Sequence, residues 1–162
     1  MANVIDLSGV INDDWVRYDR LRCMGGARRL LVSAKDLAKY PGYFERAQVE
    51  LGLELEADDV IEGIVSWLPR LVLVCINFSA FSDGRAFSQA RLLRERFAYR
   101  GDIRACGEVL RDQLSFMQRC GINQFRLAAD EDIVNSLAAF TDISVSYQPE
   151  LLRPQLQKVV NG

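Results

Sequence analysis

Leu71-Val72-Leu73-Val74-Cys75-Ile76-Asn77-Phe78 is apolar on both of its alternating faces, the pattern of a strand in the middle of a sheet rather than at its rim. Strands and helices alternate on either side of it. Upstream, Val49, Leu51, Leu53 and Leu55 alternate with Glu50, Gly52, Glu54 and Glu56, the period of a half-buried strand, and Leu30–Val32 forms a shorter one. Ser33 caps a helix that runs through Asp36 and Leu37 until Pro41-Gly42 interrupts it. Asp58 or Asp59 caps another, with Ile61, Ile64, Val65 and Leu68 on one stripe and Pro69 at its end. Downstream, Ser79–Gly84 is a loop, and Ala86, Ala90, Leu93 and Phe97 share a helical stripe that Gly101 stops from a left-handed position. Asp102–Ala105 is a strand, Glu108–Cys120 a helix with Leu110, Leu114 and Met117 inward, and Gly121 its stop. A strand over Phe125–Ala128, a helix over Glu131–Phe140 and a strand over Ile143–Tyr147 complete the series.

The segment 1–28 reads as irregular, with short strands at Val4–Leu7 and Trp15–Tyr18, a turn at Asn12-Asp13-Asp14 and a break at Met24-Gly25-Gly26. Pro149 and Pro154 bracket a C-terminal tail, 149–162. With no low-complexity linker, 1–162 reads as a single α/β domain of repeated βα units with a mainly parallel sheet and right-handed crossovers. Polar residues recur at every second strand position: Glu54 and Glu56, Asn77, Arg104, Gln124 and Arg126, Ser144 and Ser146. A sheet with helices on one face, curved like part of a (βα) barrel, leaves its other face free for such groups. The doubly wound three-layer sandwich is the alternative, because short edge strands produce the same alternation. A polar concavity suggests a homodimer that covers it. Arg104 and Arg126 then either reach a carboxylate, with Glu54 or Glu56 as the nearest candidates in the chain pattern, or face solvent, a ligand or a second subunit.

Composition narrows the classes of function. Of 162 residues 49% are apolar and 26% charged, with a net charge of −2, which argues against nucleic-acid or membrane-surface binding driven by bulk charge. Met1–Val10 has neither a basic start nor a sustained apolar run, so the expected location is the cytoplasm. Four cysteines, Cys23, Cys75, Cys106 and Cys120, stand without a C-x-x-C spacing, so no metal site and no redox pair is expected from them. Cys75 and Cys106 read as small core residues near strand ends. The absence of histidine excludes Ser–His–Asp and Cys–His machinery.

Ligands of parallel α/β sheets bind beyond the carboxyl ends of the strands. That rule selects Ser33 and Lys35, Asp58 and Asp59, Ser79–Gln89, Cys106–Arg111 and Ala129–Asp132, of which Phe81-Ser82-Asp83-Gly84-Arg85-Ala86-Phe87-Ser88-Gln89 is the richest. Gly84 permits a tight turn, and the helix start offers N–H groups to an anion. Arg85, Arg91 and Arg111 add bidentate donors, so Asp83, Gly84, Arg85, Ser88, Gln89, Arg91 and Arg111 form the candidate site for a small anion. Read structurally, Asp83 simply caps the helix, and Arg94 and Arg96 belong to a solvated face. No nucleotide-binding motif is present, and the residues leave any cofactor unspecified.

The run from Phe81 through Asp83-Gly84-Arg85-Ala86-Phe87-Ser88-Gln89-Ala90-Arg91-Leu92-Leu93-Arg94-Glu95-Arg96 and on to Val109-Leu110-Arg111-Asp112-Gln113-Leu114 resembles a bacterial family of unknown function, DUF934. That family is described as an oxidoreductase involved in sulfite reduction. The resemblance implies a place in assimilatory sulfite or sulfate reduction, with the hemoprotein sulfite reductase or a related sulfur-assimilation enzyme as a partner. It supplies no catalytic residue and no cofactor. An accessory anion-binding protein, a flavin or nicotinamide oxidoreductase and a non-catalytic scaffold for sulfite reductase all remain open, the last through the Arg91–Arg100 face.

Overall fold

The computed structural model describes residues 3–21, 25–79 and 84–141. Eight strands form one sheet in the order β2-β1-β8-β7-β6-β5-β4-β3. They are β1 (Asn3–Asp6), β2 (Gly9–Val10), β3 (Val16–Arg17), β4 (Arg29–Ser33), β5 (Glu50–Leu55), β6 (Leu71–Phe78), β7 (Asp102–Gly107) and β8 (Gln124–Leu127). From β3 to β8 every pairing is parallel, and β1 joins β8 and β2 antiparallel. Strand β6 is interior, as its two-faced apolar run requires. The strand expected at 143–147 and the tail 149–162 lie outside the described residues.

Helices cover one face only. Leu37, Phe44, Ile64, Leu93, Leu114 and Met117 from the helices pack with Val32, Leu53, Val74, Ile76, Ile103 and Phe125 from the strands in one buried cluster. The opposite face carries a separate small cluster of Leu31, Leu73 and Cys75, with Trp15 and Cys106 against it. The sheet is a curled half-barrel, so the one-sided architecture holds and the doubly wound sandwich does not.

The N-terminal segment differs from its expected form. Asn12-Asp13-Asp14 does not turn between two neighbouring strands, because β2 and β3 are the two outermost strands of the sheet. Residues 11–15 instead cross the helix-free face as a strap. Six Cα steps from Val10 to Val16 span at most about 22 Å. Eight strands laid flat would put their outer members about 34 Å apart. So short a strap can join the two edges only because the sheet is curled. Trp15 lies where β5 has Gly52: a Cβ there would come within 2.9 Å of the indole Cζ3 and 3.0 Å of Leu31 Cδ1.

On the helical face, α1 (Ala34–Lys39) starts as expected, with Ser33 Oγ accepting from the Asp36 N–H at 3.1 Å. Pro41 does not merely interrupt it but opens α2 (Pro41–Arg46) from the first helical position, where its missing N–H costs nothing. The Ile61–Arg70 segment is a 3-10 helix, and neither Asp58 nor Asp59 caps it. Asp59 Oδ2 accepts from the Glu56 N–H at 2.7 Å instead. Helix α4 (Arg111–Arg119) begins later than expected and leaves Leu110 51% exposed rather than inward. Helix α5 spans Ile133–Thr141.

The largest departure is at the end of α3 (Arg85–Arg91), which widens into a π-helical turn over Leu92–Arg96. The left-handed residue that ends it is Ala98, at φ 50°, not Gly101. Gly101 is required for a different reason, since the Tyr99 ring occupies the space of a Cβ. The widened turn rotates Arg94 inward to 8% exposure, away from the solvated face expected for it. Its guanidinium donates to the carbonyls of Gly121, Tyr99 and Gly101 at 2.8–2.9 Å, and burial pulls its pKa down to about 10.

Two substitutions test this packing. Gly52→Ala should push Trp15 off the sheet and destabilise the protein by about 1–3 kcal/mol. A Trp15→Ala partner change should recover part of that loss, and indole fluorescence and urea unfolding follow both effects. Arg94→Met removes the donor from three buried carbonyls and should lower the unfolding free energy by about 2–4 kcal/mol. A change below about 0.5 kcal/mol would show those contacts to be idle.

Candidate functional site: the concave face

Strand register decides what meets on the open face. Cys75 is opposite Glu54 on one side and Arg104 on the other, and Cys106 is opposite Asn77. Alternation therefore points Glu54, Cys75, Asn77, Arg104, Cys106, Gln124 and Arg126 away from the helices. Glu54, Asn77 and Cys106 are each the next-to-last residue of their strand, so they form the carboxyl rim where ligands of parallel sheets bind.

Arg104 is 1% exposed. Its Nε donates to Gln124 Oε1 at 3.0 Å and one terminal nitrogen to Asp13 Oδ1 at 2.9 Å. Arg126 donates to Asp13 Oδ2 at 3.0 Å, so two guanidiniums share one carboxylate. Both arginines do occupy one face. The carboxylate, however, is neither Glu54 nor Glu56 but Asp13 of the strap. Glu54 accepts from Arg17 at 2.5 Å, and Glu56 from Asn77 Nδ2 at 2.8 Å. The cover for which a polar concavity suggests a second subunit is thus supplied, at Arg104 and Arg126, by the chain itself.

The cysteines are also rearranged relative to expectation. Cys75 is buried at 2%, as a core residue should be, but Cys106 is partly exposed and packs against the small cluster that contains Cys75. A separation of 31 residues conceals a pair that strand alignment creates. The neighbouring Cys75 thiol, aided by Arg126 and Arg104 and opposed by burial, holds Cys106 below the ordinary thiol range. The Cys106 thiol beside it and burial push Cys75 well above it. Gly107, at φ 80°, turns the chain sharply after Cys106, where a Cβ would strike Asn77 Oδ1 and the Phe78 carbonyl.

The residues proposed for an anion from sequence do not converge in the same way. Asp83 lies outside the described residues. Gly84 takes the left-handed conformation, at φ 80°, and leads into α3 with Arg85 and Ser88 exposed. Gln89 turns inward and donates to the carbonyls of Glu56 and Asp59 at 2.8 and 3.2 Å, tying that loop to α3. Arg91 lies 5.9 Å over the Phe116 ring, while Arg111 bonds the carbonyl and side chain of Asn135 on α5. A hollow of about 810 Å³ that includes Arg28, Arg29, Glu50 and Arg70 lies at the amino ends of β4 and β5, away from the cysteines. Among the described residues no group of three or more acidic, cysteine or histidine side chains is placed to hold a metal ion, and no helix is long and apolar enough to cross a membrane.

Fold and face together define a half-barrel βα protein with an arginine–thiol cluster at the carboxyl rim of its open side. The chain belongs to the family described as bacterial protein of unknown function (DUF934), whose profile matches residues 52–156. No curated protein matches the chain. The matched region contains both cysteines and both arginines of the cluster, whereas the strap precedes it.

Removing the shared carboxylate tests this site. Asp13→Asn leaves a buried guanidinium without its counter-ion and should cost about 2–4 kcal/mol, less than a fully buried pair because Asp13 is partly exposed. Adding Arg104→Met should restore part of the loss. Chemical denaturation of the two single variants and the double variant gives the coupling, and strictly additive losses would show that the pair contributes nothing jointly.

Proposed function

We propose that the protein is an accessory or oxidoreductase component of assimilatory sulfite and sulfate reduction that acts in the cytoplasm by binding a small anion. The setting rests on the resemblance of the Phe81–Leu114 run to a family described as an oxidoreductase involved in sulfite reduction, while the family match itself carries no function. One observation carries the anion: Arg104 and Arg126 close on the two oxygens of a single carboxylate. A sulfur oxyanion presents a similar two-oxygen edge, and guanidinium groups suit it for the same reason. The loop–helix junction 81–91, with Arg85 and Ser88 at the surface, is the second place where the reading puts an anion. A scaffold for the hemoprotein sulfite reductase through Arg91–Arg100 has less support, because Arg94 is buried and Arg91 is engaged with Phe116. Association with that partner and with a second copy of the chain belongs to the same proposal, and light scattering of the mixed and isolated proteins reads both.

Thermal unfolding in sulfate or sulfite against chloride at matched ionic strength tests the anion. One site at ~100 times its dissociation constant adds roughly 2.7 kcal/mol. Sulfate also stabilises proteins by exclusion from the surface, so the variants carry the comparison. The anion-specific gain should vanish in Arg126→Gln if the concave face holds the ion, or in Arg85→Ala if the loop does. An equal gain in the wild type and both variants would remove the reading.

A further inference from the structure

We propose that Cys106 is a nucleophilic thiol whose site takes a disulfide carrying negative charge. The inference rests on the concave-face geometry and stands independently of the sulfite reading. Cys106 is partly exposed at the carboxyl rim of an interior strand, and Cys75 lies one layer deeper on the neighbouring strand. The charged and titratable groups around Cys106 come from every element beside it: Cys75 on β6, Arg104 on its own strand, Arg126 on β8, Glu54 on β5 and Asp13 on the strap. Glu54 is held by Arg17 and Asp13 by the two arginines, so neither carboxylate stands as an unpaired charge beside the sulfur. The Arg126 side chain is 32% exposed even while it holds Asp13, which leaves that guanidinium open to an incoming anion. The lowered pKa of Cys106 agrees with this arrangement, since the Cys75 thiol packs beside it and both guanidiniums favour its thiolate.

The step is thiol–disulfide exchange. The Cys106 thiolate attacks the nearer sulfur, a new bond forms between Cys106 Sγ and that sulfur, and the original sulfur–sulfur bond breaks. The electron pair leaves on the departing thiolate, so Cys106 is oxidised to the disulfide level as the leaving sulfur is reduced, and no proton moves. Cys75 does not resolve the product. Residues diagonal across parallel strands have Cα atoms about 8 Å apart, and a disulfide needs less than about 7 Å. The mixed disulfide therefore persists, and Cys75 acts as a positioning residue that holds the thiolate.

The test uses the full chain with Cys23→Ser, since Cys23 lies outside the described residues. The probes are the dianionic dithiobis(nitrobenzoate) and the neutral dithiodipyridine, followed by stopped-flow absorbance, with the labelled residue mapped by mass spectrometry. One thiol should react fast and map to Cys106, and the fast phase should disappear in Cys106→Ser. Its pH–rate profile should turn over below the ordinary thiol value of about 8.5 and move upward in Cys75→Ala. Arg126→Gln should slow the dianionic probe about tenfold more than the neutral one, because the lost charge steers only the anion. Label on Cys75 or Cys120 with Cys106 spared, an ordinary pH profile, or equal slowing of both probes by Arg126→Gln would each overturn the proposal.

Discussion

A guanidinium in the middle of a sheet must find an anion, because an uncompensated buried charge costs several kcal/mol. Arg104 is in that position on β7. Gln124 on the adjacent strand satisfies its Nε but brings no charge. The charge comes from Asp13, 91 residues earlier in the chain. Placing that carboxylate over β7 and β8 means that the chain must cross the sheet between β2 and β3. So short a crossing fits only a curled sheet. Curvature, the helix-free concave face and the strap are thus mutually dependent. The same carboxylate also fixes Arg126, so one side chain organises both cations of the face.

With the arginines, Glu54 and Glu56 all paired, the concave face is a nearly neutralised polar layer rather than an open charged surface. Cys106 is a group within it that keeps both exposure and a perturbed acidity. Its surroundings are rigid: Gly107 lets β7 turn tightly against the end of β6, and the Glu108 N–H closes that turn on the Phe78 carbonyl at 2.8 Å. A reactive group set on strands rather than on loops is held more closely to its working geometry.

The helical side obeys a different constraint, which is the satisfaction of carbonyls at helix ends. The π-helical turn after α3 brings Arg94 against three carbonyls that lie between the end of that turn and the start of β8. Phe87 packs between Phe78 and Phe116 with ring centroids 4.9 Å apart on each side, joining β6, α3 and α4. These contacts anchor the helices whose preceding strands carry the candidate site.

Local sequence determined the elements and their two faces. Period-two alternation at 49–56 and across the later strands marks the polar side, and the apolar run 71–78 marks an interior strand. Both follow from side-chain direction along a strand, which needs no knowledge of neighbours. The Ser33 cap and the positive φ of Gly121 are local for the same reason. Tertiary structure alone decided which charges meet. Asp13 sits in a stretch without periodicity, so nothing nearby in the chain links it to Arg104 or Arg126. Cys75 and Cys106 look unrelated until register aligns β6 with β7. Arg94 resembles any charged helix residue until a widened turn carries it inward. In each case the partner lies tens of residues away or the local geometry departs from the regular period, and local sequence patterns are blind to both.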